Sequence, residues 1–342
     1  MSDRRYRVGV LGATGLVGTT ILDLLAARDF PVSQVVPFAS ERSAGNAIEW
    51  GDEELEVRPL SEETIQGLDI VLSSAGGTVS AEWAPQLVEA GAVVVDNTSY
   101  WRMHDDVPLV VAEVNPDDLA GHKGIVANPN CSTMQMVVAL KPLYDAAGIE
   151  RLVVSTYQAV SGTGKAAVDE LLAQTKASLA DRDPVASVYP HPIAFNALPQ
   201  AGSFAAGDDH TDEERKLINE TRKILGDQEI RVSATCVRVP VLTGHSEAVN
   251  VETREPLEVE RARELLAAAA GVTVIDDPAE GRYPMAIEAA GRDDVLVGRI
   301  RRDPGNERAL DLWIVSDNLR KGAATNAVQV AELLVERGLL NR

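Results

Sequence analysis

Tyr6 to Gly18 reads YRVGVLGATGLVG, a short apolar strand that runs directly into glycines at positions 12, 15 and 18. An amphipathic helix pattern follows to about Ala27. Strand, glycine turn and helix in this order form the crossover that binds a dinucleotide. The glycines let the backbone approach a pyrophosphate, and the helix N-terminus carries positive charge toward it. Glycine spacing is also used in turns made only for packing, so the reading rests on the flanking strand and helix. The loop Gly12, Ala13, Thr14, Gly15, Leu16, Val17 and Gly18 is the candidate pyrophosphate cradle.

The next segments extend the same pattern. A second strand, Gln34 to Ala39, ends in SERSAG, where an NAD site would place an acidic residue on the ribose hydroxyls. Ser40, Arg42 and Ser43 supply hydroxyls and a guanidinium instead, which suits a 2′-phosphate and favours NADP(H). Glu41 takes the acidic role if the turn is shifted by one residue. Asp69 to Ser73 reads as a strand, Ser80 to Ala90 as a helix and Ala92 to Asp96 as another strand. This alternation implies an α/β fold with a parallel, doubly wound sheet. Ser74, Ala75 and Gly76 then lie at a strand's C-terminal end, where open sheets of this kind bind ligands.

Composition bounds the rest. The chain has 342 residues, 45% of them hydrophobic, enough for two domains. A formal charge of −20 makes nucleic acid a poor partner. The two cysteines give no disulfide framework, and no closely spaced Cys or His suggests a metal site. No apolar run approaches membrane-spanning length, and no signal peptide precedes the first strand, which points to the cytoplasm.

The stretch Asn128 to Met134, NPNCSTM, places Cys131 at the mouth of an apolar helix that runs to Gly148. A helix N-terminus favours a thiolate, and its amides suit an oxyanion. A small buried residue at a core helix would read the same way. Beyond it the pattern changes. Arg151 to Val160 is a strand ending in YQAVSGTGKAA, Val185 to Gly202 a proline-punctuated loop, and Asp212 to Gly226 a charged helix. Ile230 to Leu242 is expected to be one long strand of an antiparallel sheet, with further strands at Glu247 to Thr253, Val295 to Arg301 and Ala309 to Val315. Asn318 to Arg337 reads as a closing helix. His245 is the natural acid/base partner for the thiol. His104 and His122 read as residues of polar loops, Cys236 as core, and Arg102 as a surface arginine or a phosphate ligand.

Taken together, GATGLVG, SERSAG, DVPLVVAEVN, NPNCST, YQAVSGTGKA, EERKLINETRKI, RVPVLTGHSE and DNLRKGAATNAVQ occur in this order, and the chain resembles the aspartate-semialdehyde dehydrogenase family. The resemblance implies a Rossmann domain over residues 1–130 joined by the C-terminal helix, 318–342. It also implies a second, α+β domain over 131–317, like the C-terminal domain of glyceraldehyde-3-phosphate dehydrogenase, that carries the homodimer contact. Pairing of dimers into tetramers is left open. By resemblance, Cys131 is the nucleophile, His245 the acid/base, Gln158 the group that orients substrate, and Asn130 part of the oxyanion site. Arg238, seven residues before His245 and expected on the same strand, would clamp the substrate carboxylate. Arg102 and Lys216 would hold phosphate and Glu213 the substrate ammonium, although Glu213 and Lys216 also fit a plain helix salt bridge. Ser161, Gly162 and Asn318 would approach the nicotinamide.

The implied activity is NADPH-dependent reduction of L-aspartyl 4-phosphate to aspartate semialdehyde and phosphate, on the route to lysine, threonine, methionine and isoleucine. Two alternatives stand beside it. One is N-acetyl-γ-glutamyl-phosphate reductase, whose cysteine is usually flanked by glycine and tyrosine, unlike Asn130 and Ser132. The other is a catalytically silent NADP-binding regulator, which would need none of Cys131, His245, Gln158 and Arg238. Ala112 departs from the proline that many relatives carry, which bears on loop stiffness and not on chemistry.

Overall fold

The computed structural model describes residues 4–340. The chain divides into two compact units, one reaching Asn130 and resuming at Ala323, the other spanning Cys131–Gly322.

The first unit begins with β1 (Tyr6–Leu11), α1 (Leu16–Ala27) and β2 (Val32–Phe38), followed by a hairpin of β3 (Ala47–Trp50) and β4 (Glu53–Glu56). Then come β5 (Ile70–Ser73), α2 (Gly77–Glu89), β6 (Val93–Asp96) and β7 (Ile125–Ala127). The second unit contains α3 (Cys131–Ala147), β8 (Ile149–Gln158), α4 (Lys165–Leu179), α5 (Asp212–Leu225), β9 (Arg231–Arg238) and β10 (His245–Thr253). It continues through α6 (Val259–Ala268), β11 (Val272–Val274), α7 (Ala286–Ala289), β12 (Val295–Asp303) and β13 (Asn306–Ser316). The final helix α8 (Thr325–Glu336) returns to the first unit.

In the first unit five parallel strands are ordered β2-β1-β5-β6-β7. Alternation along β1 explains its two-sided burial. Val8 and Val10 pack with Ile21 and Leu25 of α1 and with Val328, Ala331 and Leu334 of α8, whereas Leu11 joins Ala84 and Leu87 of α2. The order of strands reverses direction between β1 and β5, which opens a crevice at their C-terminal ends.

The second unit holds a six-stranded mixed sheet, β11-β12-β13-β10-β8-β9. Its centre is antiparallel, but the edge pairs β8 with β9 and β11 with β12 are parallel. The strand expected over Ile230 to Leu242 therefore needs correction: β9 stops at Arg238 and runs parallel to β8. Pro240 has no N–H to give a ladder, and Gly244 at φ +97° turns the chain into β10. A Cβ at Gly244 would lie 2.8 Å from the Ala286 carbonyl oxygen, so glycine is required there for space as well. Arg238 and His245 consequently end and begin different strands. The closing helix also starts later than expected: a π-helical turn, Arg320–Ala324, separates Asn318 from α8. The charged helix α5 is fixed locally by a Thr211–Glu214 capping box and by Gly226 in the left-handed conformation at its end.

Candidate active site

In the first unit, a cavity of about 520 Å³ opens at the crevice. It is lined by the β1 end and glycine turn (Leu11, Gly12, Thr14, Gly15), the β2 end (Phe38 to Glu41) and Ser74 and Ala75 after β5. A Cβ on Gly18 would lie 2.2 Å from the Gly12 carbonyl oxygen, and one on Gly12 would lie 2.7 Å from that of Ser74. The glycines therefore hold the turn closed against the sheet, leaving space for a flat dinucleotide over it. Gly18→Ala should abolish measurable NADP(H) binding while leaving the second unit folded, to be checked by fluorescence titration alongside circular dichroism. Ala13 is fully buried behind the turn. Leu16, Val17 and Gly18 belong to the first turns of α1, Gly76 caps α2, and Ser40 lines the cavity rim. Arg42 and Ser43 lie in the short helix just beyond it, with Arg42 exposed and Glu41 on the lining. Pro59, Leu60, Val79 and Trp83 also line the cavity, and no sequence motif singled them out.

Arg102 is not a surface residue. It is 7% exposed, with Nε donating to the Asn128 carbonyl at 3.0 Å and Nη2 to that of Asn97 at 2.7 Å. His122 is buried as well, its Nδ1 accepting from the Gly124 amide and its Nε2 lying 2.9 Å from the Leu339 carbonyl oxygen. Asn130 is buried at the end of this unit.

In the second unit the sheet arranges the remaining candidates in register. Gln158 pairs with Arg238, His245 pairs with Ser316, and the Ser246–Tyr157 pairing sets Gln158 beside His245. Arg238, Gln158, His245 and Ser316 thus form one buried row across four strands. The cysteine helix reaches this row directly: Ser132 Oγ accepts from Gln158 Nε2 at 2.9 Å, and Cys131 is the half-buried first residue of α3. A Cβ on Gly322 would sit 2.8 Å from that of Cys131, so a bare backbone flanks the thiol. Gln158 Nε2 also lies 3.2 Å from Glu213 Oε1. Glu213 makes the suspected helix salt bridge, 3.2 Å from Lys216 Nζ, which Asp212 also contacts at 2.6 Å. Burial pulls the Lys216 ammonium down, but the Glu213 and Asp212 carboxylates outweigh it and hold it above its ordinary value.

His245 is fully buried, and its Nδ1 accepts the Ala159 amide at 3.0 Å. A backbone N–H can only donate, so the neutral ring carries its proton on Nε2. Burial first, then the Arg238 guanidinium, hold this imidazole well below its usual range, so it is uncharged at pH 7. Nε2 of His245 and Nε of Arg238 have no hydrogen-bond partner, and both groups border Gly162. A Cβ there would lie 3.0 Å from His245 Nε2 and 3.2 Å from Arg238 Nη1. Ser161 Oγ lies 3.0 Å from Asn318 Nδ2, and Asn318 Oδ1 accepts from the Gly244 amide at 2.9 Å. These two candidates therefore brace the turn that delivers His245. Cys236 is buried in β9, where burial pushes its thiol far up. Among the described residues no acidic, His and Cys cluster could hold a metal, and no helix is long and apolar enough to cross a membrane.

Comparison with known proteins identifies the family. Residues 7–122 match the family model described as semialdehyde dehydrogenase, NAD binding domain, and residues 140–321 that described as semialdehyde dehydrogenase, dimerisation domain. The chain is 56% identical to the aspartate-semialdehyde dehydrogenase of Aquifex aeolicus, covering 98% of this chain and 99% of that one. The crystal structure of aspartate semialdehyde dehydrogenase II from Vibrio cholerae superposes with a TM-score of 0.95 at 48% identity, over 97% of this chain and 99% of that one. The Candida albicans enzyme, solved with NADP, gives 0.74 at 28% identity over 98% and 100%. Both domain models, near-full-length identity and a shared fold place this chain in the aspartate-semialdehyde dehydrogenase family.

Proposed function

We propose that the protein catalyses the NADPH-dependent reductive dephosphorylation of L-aspartyl 4-phosphate to L-aspartate 4-semialdehyde. The observation that carries the reading is the pair of buried, unpartnered donors, His245 Nε2 and Arg238 Nε, in the row that meets the cysteine helix. Buried donors without partners cost stability and are kept where a ligand completes them.

In this mechanism Cys131 attacks the acyl carbon; a C–S bond forms, the C–O bond to phosphate breaks, and phosphate leaves with the electron pair. The tetrahedral oxyanion is met by amides near Asn130 and by the Nε2–H of His245. NADPH, when bound, supplies the hydride that reduces the thioester. The resulting thiohemiacetal alkoxide, hydrogen-bonded by the Nε2–H of His245, collapses: its oxygen re-forms the C=O bond as the C–S bond breaks, which releases the aldehyde and returns the Cys131 thiolate. Gln158 holds the acyl group, Arg238 the α-carboxylate, Glu213 the ammonium, and Arg102 with Lys216 the phosphate. Gly12 to Gly18, with Ser74 to Gly76, cradle the pyrophosphate, while Ser40, Arg42 and Ser43 take the 2′-phosphate. Ser161, Gly162 and Asn318 serve the nicotinamide end. Phosphate-dependent reduction of NADP by aspartate semialdehyde tests the reading; no turnover by folded protein would overturn it, and N-acetylglutamate semialdehyde would be the next substrate.

The product would enter lysine, threonine, methionine and isoleucine synthesis, including the diaminopimelate route. Neither cysteine is in a disulfide, as a reducing compartment keeps them, and a cytoplasmic location is the one we propose for an enzyme that draws on NADPH. The working unit is a homodimer. Its support is the face of the second sheet opposite α3, where Tyr157 and Trp313 lie ring to ring at 5.5 Å beside Ala248, all half-buried or exposed. Ala248→Arg should shift the protein to monomers in sedimentation, and the wild type run beside it reports any tetramer.

A further inference from the structure

Glu247 is a buried titratable side chain with no part in that mechanism. Directly behind the catalytic row, one strand repeat further along the same face, lies a second row: Cys236, Thr156, Glu247 and Ile314. The row behind that is wholly apolar, with Ala234, Val154, Val249 and Leu312. Glu247 is thus a carboxyl at the boundary between the site and the core, 0% exposed, with neither oxygen completing a hydrogen bond and the Gln135 amide as its polar neighbour.

Its surroundings give an ionised carboxylate little support. From α3 it is faced by Gln135, one helical turn beyond Cys131, whose Nε2 is itself unpartnered and whose Oε1 accepts from Ser316 Oγ at 2.7 Å. From α5 the charged group facing it is Glu213, from β9 Cys236, and on its own strand His245 lies two residues before it. Thr156 of β8 and Ile314 of β13 flank it in register. Burial above all, with Glu213 adding its negative charge, pushes the Glu247 carboxyl well above its ordinary value, against a smaller opposing effect from Gln135.

We propose that Glu247 is a positioning residue that works only as an uncharged carboxylic acid: with Gln135 it seats the first turns of the cysteine helix on the catalytic row, and a charge there switches the site off. A neutral acid can share a hydrogen bond with the Gln135 amide and adds no negative charge beside Glu213. A carboxylate in the same place draws Gln135 out of line and competes with Glu213. The inference deepens the proposed activity and rests on it.

The test compares wild type, Glu247→Gln and Glu247→Ala as full-length protein, using the pH dependence of Cys131 alkylation by iodoacetamide and of kcat/KM. The uncharged isostere should keep kcat/KM at pH 7 within about threefold, whereas the alanine variant, which leaves a void and an orphaned amide, should lose about tenfold or more, mainly in kcat. Wild-type alkylation should show a second inflection on the alkaline side that is absent from Glu247→Gln, and the alkaline fall of kcat/KM should move up in pH with it. Stability gives an independent sign. Because the folded-state value lies above the ordinary 4.5, the native protein holds a proton that the unfolded chain loses, so wild-type stability falls as pH rises through that interval. The Tm of Glu247→Gln should therefore exceed that of wild type by a margin that grows with pH. The proposal is overturned if Glu247→Gln is as impaired as Glu247→Ala, or if the inflections of wild type and Glu247→Gln coincide. Alkylation and Tm need no turnover, so failure of the aspartate semialdehyde assay would be told apart from failure of this inference.

Discussion

Cys131→Ala is expected to lower phosphate-dependent reduction of NADP by about 10⁴-fold or more, with NADP affinity unchanged. The size of the effect follows from the chemistry. Without a sulfur the acyl group has no covalent carrier, and hydride would have to reduce an acyl phosphate directly while phosphate is still attached. The proposed cofactor cradle, Gly12 to Gly18, is untouched by the substitution, so binding titrations should superimpose on wild type. Alkylation supplies a second check. Cys131 is half-buried at the start of α3, whereas Cys236 is fully buried and burial holds its thiol protonated. Native protein should therefore take up one iodoacetamide adduct and lose activity with it, and denatured protein two. Retained activity after complete labelling of Cys131 would remove the thioester from the mechanism, and a folded protein with cofactor affinity but no wild-type turnover would be the silent binder.

At His245, loss of the imidazole should reduce kcat/KM by roughly 10²- to 10⁴-fold, the range for a positioned proton donor or acceptor. The structure makes a finer statement than the residue type does. With Nδ1 occupied by the Ala159 amide, the resting ring offers an N–H at Nε2, so in the proposed mechanism its first act is donation to the developing oxyanion. His245→Gln, which presents an amide N–H at comparable reach, should recover part of what His245→Ala loses. A glutamine variant as inactive as alanine would mean that full proton transfer is the essential step. The pH profile carries its own sign. Since the folded imidazole is held well below 6.5, kcat/KM should show no His inflection near 6.5 on the acid side. For the same reason stability should decline as pH falls below 6.5, because the unfolded chain takes up a proton that the native ring refuses.

How much of this was legible beforehand depended on whether a signal was local. The glycine turn was legible because backbone approach and the positive-φ conformation of Gly12 leave few other residues possible. The cysteine at a helix mouth was legible for the same kind of reason, since Cys131 does open α3. The strand over Ile230 to Leu242 was misread because alternation continues through Val239 and Val241, while Pro240 removes the donor a ladder needs. The surface alternative for Arg102 arose because its partners are backbone carbonyls, which no side-chain pattern announces.

The sequence by itself determined the alternation of strand and helix, the nucleotide-binding turn, the thiol at its helix and, through motif order, the family. Only the tertiary structure decided which side chains share a row. Arg238, Gln158, His245 and Ser316 come from four strands spread over about half the chain, and what brings them together is a register set by backbone hydrogen bonds. The same register placed Glu247 behind His245, where its carboxyl completes no hydrogen bond. Tautomer, burial and missing partners are likewise properties of neighbours distant in sequence, and a pattern of residue types along one chain carries no record of them.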